Sequence, residues 1–179
     1  SSPLSILSPI NNAQFIVGDS IPVNVTAADG TYPSVTASLI CSSGGNAGSA
    51  TRTIDNLLVI QPSQTAYQRC TISLYTAEQY YDYSATSSVV IYRQLNLTSP
   101  ISGSSIVGGA PYLLTVSSND GAAAPMTVFG RCSYGTFSYS GLTNTPVTIP
   151  MASNVQGACL MTANSTLPFY LNSTSATPI

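Results

Sequence analysis

Residues Ile21-Pro22-Val23-Asn24-Val25-Thr26 set an apolar side chain at every second position, the period of a strand with one buried and one solvated face. Leu95-Asn96-Leu97-Thr98 and residues 113–117 repeat the pattern. Further strands are predicted at 35–41, 51–54, 57–60, 68–74 and 86–92, then at 126–132, 136–139, 147–149, 158–163 and 168–173. Turn residues punctuate them: Asn11-Asn12, Asp29-Gly30, Gly44-Gly45 and Asn119-Asp120-Gly121. No window holds a helical period, so the chain reads as all-β.

The chain also repeats itself. Displaced by 91 positions, Ser8-Pro9-Ile10 falls on Ser99-Pro100-Ile101, Val23 and Val25 on Leu114 and Val116, Asp29-Gly30 on Asp120-Gly121, and Cys41 on Cys132. Cys70 and Cys159 are 89 apart, so two residues are lost between. A period near ninety residues is that of a sandwich domain rather than a solenoid. The expectation is two tandem immunoglobulin-like β-sandwiches of about seven strands each, at residues 1–93 and 94–179. Only Arg93-Gln94 separates the last strand of the first from the first strand of the second, which predicts a stiff, end-to-end rod.

The stretch from Ser8-Pro9-Ile10 through Gly18 and the alternating strand to Asp29-Gly30, with its echo from Ser99 to Gly121, resembles the opening of bacterial-type immunoglobulin-like repeats of surface proteins. The resemblance covers the first third of each repeat. It implies spacers, adhesin stalks or enzyme appendages. The cysteines depart from the antibody pattern, since the first of each pair falls on the third strand, and no Trp is present to pack on a bridge.

Charge changes the picture. The whole inventory is six acids (Asp19, Asp29, Asp55, Glu78, Asp82, Asp120) and four arginines (Arg52, Arg69, Arg93, Arg131), with no Lys and no His. Polarity comes from Ser and Thr, which together number 48. So neutral a surface associates with itself unless sugar covers it, and it changes charge little on acidification. In this respect the composition resembles that of surface proteins of acid-dwelling archaea, with fungal or protist wall proteins as alternatives. Four scattered arginines in a chain of net charge −2 make no phosphate-tracking patch, which excludes nucleic acid. No apolar run is long enough to span a membrane. The chain begins at Ser1 with its first Met at 126, which reads as a processed product or a fragment.

Cys41, Cys70, Cys132 and Cys159 allow three pairings, and the repeat selects Cys41–Cys70 and Cys132–Cys159. Zinc, thiol and Ser–His–Asp chemistry lack the His they need, and Lys nucleophiles are absent. The carboxylates Glu78 and Asp82 are the closest pair but sit in a small loop that offers no cleft, so no catalytic residue, cofactor or metal is expected. Asp29 and Asp120, each before Gly, read as turn residues rather than calcium ligands. Four sequons stand at Asn24, Asn96, Asn164 and Asn172. Strand parity turns Asn24, Asn96 and Asn172 outward, and Asn164 is expected in a loop. The segment 75–83, with Tyr75, Tyr80, Tyr81, Asp82 and Tyr83, falls between the last two strands of the first sandwich, where such domains carry binding loops. The second unit offers only Asn164-Ser165-Thr166 there, which sets the segment outside the basic repeat.

These features point to an extracellular, glycosylated structural protein. It would be a subunit of a surface filament, pilus-like fibre or coat that self-associates head to tail, with strand addition by residues 1–7 or 167–179 as one means of joining. An adhesin or glycan-binding module using the Tyr segment, or a spacer of a larger secreted protein, are the alternatives.

Overall fold

The computed structural model describes residues 1–63, 67–99, 109–150 and 156–178, so Pro100-Ile101 of the repeat lies outside the described residues. The chain divides into two compact units, Ser1–Tyr92 and Arg93–Ile179. The described residues form sixteen strands: β1 (Ser2–Ser8), β2 (Ala13–Ile16), β3 (Ile21–Ala27), β4 (Ser34–Cys41), β5 (Asn46–Thr53), β6 (Leu58–Ile60), β7 (Arg69–Tyr75), β8 (Tyr81–Asp82), β9 (Thr86–Ser99), β10 (Pro111–Ser118), β11 (Pro125–Tyr134), β12 (Thr136–Leu142), β13 (Val147–Pro150), β14 (Gln156–Asn164), β15 (Tyr170–Leu171) and β16 (Ser173–Pro178). Among them no helix is long and apolar enough to cross a membrane.

Unit 1 packs the sheet β6-β3-β1-β8 on a second sheet of β5, β4, β7 and the first half of β9, along which β2 runs parallel. Unit 2 repeats this plan with β13-β10-β9-β15 and β12-β11-β14-β16. The alternation read in the sequence is the alternation of burial. Ile21, Val23 and Val25 point inward from β3, Val35, Ala37 and Leu39 from β4, and Ile72 and Leu74 from β7. Leu95, Leu114, Val116, Met126, Val128, Ile149 and Met161 form the second core. Each of these Val, Leu, Ile and Met side chains contributes roughly 1.5–3 kcal/mol by leaving water.

Two strand expectations are corrected. Residues 86–92 and 95–98 are one strand, because Arg93 and Gln94 keep extended backbone and pair with β15. The strand expected at 168–173 is two: β15 lies on β9, and β16 lies on β14. Within the segments named for strand addition, β1 is held by β3 and β8, and β16 by β14.

The units fill equivalent core space differently. Leu39 on β4 faces Gly48 on β5, whereas Gly130 on β11 faces Phe137 on β12. Large and small have changed strands. A β-carbon at Gly130 would fall within the Phe137 ring, and one at Gly48 would stand 2.9 Å from the Ile60 side chain. Gly130→Ala is therefore expected to destabilise the chain by about 1–3 kcal/mol in urea unfolding. Phe137→Leu in the same chain should recover part of that loss. Strict additivity of the two changes would show that the ring is not what the methyl group meets.

Candidate functional site

Cys41 and Cys70 are directly paired residues of β4 and β7, and Cys132 and Cys159 of β11 and β14. Both pairs are disulfides, each between neighbouring strands of one sheet. All four sequon asparagines are exposed. Asn24, Asn96 and Asn172 face outward. Asn164 is not in a loop but ends β14 opposite Thr127. Among the described residues no group of three His, Cys, Asp or Glu side chains stands close enough to hold a metal ion.

The Tyr segment is built around β8, which pairs in parallel with the start of β1. Tyr80 has φ +72° and is 81% exposed, and its carbonyl accepts the Ser2 N–H at 2.6 Å. The Tyr75 and Tyr83 rings meet edge to face at 5.5 Å, both exposed. Tyr81 is turned inward, its hydroxyl 2.6 Å from Thr31 Oγ1. Glu78 Oε1 accepts the Ser34 N–H at 3.5 Å, tying the segment to the start of β4, and Asp82 Oδ1 accepts the Ser84 N–H at 2.9 Å within its own turn.

Unit 2 does carry a counterpart of this segment, contrary to the sequence reading. Phe169 matches Tyr80, again with positive φ, and its carbonyl accepts the Arg93 N–H at 2.7 Å as that of Tyr80 accepts Ser2. Tyr170 matches Tyr81 in pairing and position. The two-residue loss between Cys132 and Phe137 shifts the alignment to 89, which hid this equivalence behind dissimilar residues.

The shift brings out a cluster that sequence reasoning missed. Arg93, only 7% exposed, lies with its guanidinium 3.7 Å above the Tyr170 ring. It donates to the Pro168 carbonyl at 2.7 Å and stands 3.6 Å from Asp120 Oδ2. Asp120 Oδ1 accepts from the Ala122 N–H and the Ser118 hydroxyl. Its neighbour Asn119 accepts the Gln94 N–H at 2.9 Å. In unit 1 the equivalent of Gln94 is Pro3, which has no N–H, and the equivalent of Asn119 is Ala28, which offers no acceptor. Donor and acceptor were gained or lost together. The cluster anchors the first strand of unit 2 to its own loops, a positioning role.

Asp29 matches Asp120. The Thr31 hydroxyl and then the Thr31 N–H hold its carboxyl below the usual range, and the Ser84 N–H and hydroxyl do the same for Asp82. Burial pushes the Tyr112 phenol up.

No family model matches the chain and no curated protein matches it. Among solved structures it is similar to the two-domain fibronectin type III segment of chicken tenascin, at 10% identity, covering all of both chains with a TM-score of 0.59. It is also similar to the BSP domain of a biofilm-associated protein, at 15% identity and TM-score 0.37, where it spans 93% of its own length and 28% of that chain. The fibronectin(III)-like modules of Clostridium thermocellum CbhA match at 14% identity and TM-score 0.34, over 98% of this chain and 93% of that one. The fold is that of tandem immunoglobulin-like and fibronectin III sandwiches.

Two outcomes follow from this geometry. Arg93→Ala or Asp120→Ala leaves a buried charge without its counterion and should cost about 3–5 kcal/mol in denaturant unfolding. Arg93→Lys should not restore it, because an ammonium cannot cover a ring face and reach both acceptors together; a change below about 1 kcal/mol would refute the anchoring role. For pH, the depressed carboxyls of Asp29 and Asp82 add stability above their unfolded value, about 3.9, which is lost as pH falls through their lower folded values. With no His in the chain, the melting temperature by circular dichroism should be flat from about pH 8 to 5 and fall only below about pH 4. A drop between about pH 7 and 5 would contradict this.

Proposed function

We propose that the chain is a structural subunit of an extracellular filament or coat, a non-enzymatic glycoprotein that associates with its own kind. The observation that carries this reading is an apolar patch on a solvent face. Phe129 and Leu160 are diagonal neighbours on the outer face of β11 and β14, 46% and 50% exposed. Their equivalents in unit 1 are Ser38 and Thr71. A sheet that buries its inner face has no folding reason for Phe and Leu outside, and large exposed apolar groups mark interaction surfaces. The disulfides support an oxidising, extracellular setting, and the four exposed sequons support sugar on the remaining surface. A patch of this kind meeting a different patch on the next copy generates a fibre. Strand exchange through β1 or β16 would first require each to leave its own sheet, so contact between faces is the simpler joint.

Phe129→Ser with Leu160→Thr, the residues unit 1 uses, tests the patch. Native material should show regular assemblies by electron microscopy. The double variant should dissociate by sedimentation with a loss of about 30-fold or more in affinity, the scale of a central interface pair, and an unchanged melting temperature. A wild-type chain that stays monomeric at high concentration would sink the proposal.

A second reading, glycan binding, is supported by the exposed Tyr75, Tyr80 and Tyr83. Loss of binding on a glycan array when Tyr80 and Tyr83 become Ala would establish it, and an array on which the wild type binds nothing would remove it.

A further inference from the structure

Asn24 is exposed on the outer face of β3, and aliphatic side chains flank it on both sides. On the β1 side, Leu7 sits in the bulge between Ile6, opposite Val25, and Ser8, opposite Asn24. On the β6 side, Val59 pairs with Pro22. Leu57 comes opposite Asn24, one step beyond the last pair, Val23 with Leu58. Leu7, Leu57 and Val59 are 54%, 49% and 42% exposed. The core is filled by their neighbours Ile6, Leu58 and Ile60, so these three serve no inner packing.

Unit 2 keeps the backbone and changes the side chains. The bulge recurs between Thr115 and Val116, and Leu113 pairs with Thr148 as Pro22 does with Val59. Thr115 therefore holds the place of Asn24, and Thr98, Pro146 and Thr148 those of Leu7, Leu57 and Val59. The Thr98 hydroxyl donates to the Thr115 carbonyl at 3.2 Å, a bond Leu7 cannot make. Two of the three aliphatic groups are thus hydroxyls where the sequon is absent, and the third is the smaller ring of a Pro. Pro22 against Leu113 runs the other way. Two other sequons have polar neighbours: Asn96 lies opposite Ser117, and Asn164 opposite Thr127.

The strand edge beside Asn24 differs too. β10 is paired with β13 only as far as Leu114. Beyond it Asn144, with φ +58°, donates its N–H to the Val116 carbonyl at 2.7 Å. Its Oδ1 accepts the Ser118 N–H at 3.2 Å and its Nδ2 donates to the Ala122 carbonyl at 2.8 Å. β3 is paired with β6 only as far as Val23. Asp55 holds the place of Asn144, but its Oδ1 takes the Asn56 amide at 3.1 Å.

A cluster of exposed aliphatic groups calls for a cover. A protein partner would have to seat itself on the residue from which an oligosaccharide projects. The attached sugar is the nearer cover. A pyranose ring has an apolar C–H face, and a tethered ring gives up little translational freedom when it settles. We propose that the oligosaccharide on Asn24 folds back onto Leu7, Leu57 and Val59, so that its first sugars form an outer layer of unit 1. The inference rests on the glycoprotein reading above and adds to it the place where one glycan binds its own domain.

The test uses full chain purified from glycosylating cells. Arg52 is the first Arg, so the tryptic peptide 1–52 carries Asn24 as its one sequon, and its mass should include an oligosaccharide. Bare Asn24 beside filled sequons elsewhere overturns the inference and leaves the glycoprotein reading standing. Bare peptides throughout overturn both. With methyl labelling, Leu7, Leu57 and Val59 should show nuclear Overhauser contacts to sugar ring protons. Contacts to a second copy instead, or none, overturn the inference. Asn24→Gln should lower the melting temperature by about 4–8 °C, and Asn96→Gln by less than about 2 °C. In chain carrying Leu7→Thr and Val59→Thr, the residues unit 2 uses, Asn24→Gln should cost less than about half as much. An equal cost in both backgrounds would show that the sugar does not rest on these side chains.

Discussion

Everything in each sandwich depends on the register of one central strand pair, β4 with β7 and β11 with β14. A slip of one residue in either pair would turn Val35, Ala37 and Leu39, or Met126 and Val128, out of the core and expose them. Most sheets resist such slips partly through charged groups that cannot be buried. This chain has only ten charged residues in all, and many outward positions of these strands, Thr36, Ser38, Thr71, Ser73, Thr127 and Thr162 among them, are Ser or Thr, which tolerate burial better. The disulfides supply the missing discrimination, since each joins residues directly opposite one another. A covalent link at that point leaves a single register open. The bridges therefore do the work that inter-sheet bridges do not do in the antibody pattern: they fix a ladder rather than clamp two layers.

With register fixed, the copies were free to diverge in matched pairs. Leu39 with Gly48 became Gly130 with Phe137, conserving volume across a ladder. Pro3 with Ala28 became Gln94 with Asn119, conserving the match of donors to acceptors. Ile54, buried in unit 1, corresponds to Thr143, whose hydroxyl accepts from Ala124 and donates to Ala122, so no polar atom is stranded. Ser2 corresponds to Arg93, whose charge entered together with the Tyr170 face and the buried Asp120 carboxylate. Asn144 against Asp55 stands apart, because the bonds made by the first have no counterpart among the described contacts of the second.

The architecture was legible because alternation and duplication are properties of the chain itself. Ile21, Val23 and Val25 announce a half-buried strand with no knowledge of partners, and a constant offset of 91 announces a second domain. The cysteine pairing came from the same repeat. What escaped was whatever depends on non-local pairing. Residues 2–8 carry no clean alternation, yet become β1 because β3 needs a neighbour. Arg93 reads as a linker in sequence, and only the loops around it make its burial possible. Asn164 looked like a loop residue because Asn-Ser-Thr is turn chemistry, but the edge of Thr127 holds it in β14. The Tyr-rich segment reads as unique to unit 1 because its residue types differ from those around Phe169-Tyr170, while what the two share is a positive φ and a parallel pairing that residue type does not encode.

An uncharged β protein must still protect its edges. The usual guards are Lys, inward charges or Pro on the outer strands, and this chain has no Lys. Unit 2 guards the end of β10 with the backbone and side chain of a single Asn. Unit 1 leaves the same edge of β3 beside a sequon whose Asn24 is exposed. An open edge on a surface with little charge invites pairing with another chain, whereas a sugar carried on Asn24 would stand beside that edge and block the pairing. The economy of charge and the placement of the sequon thus meet in one physical problem: closing strand edges that no Lys is there to guard.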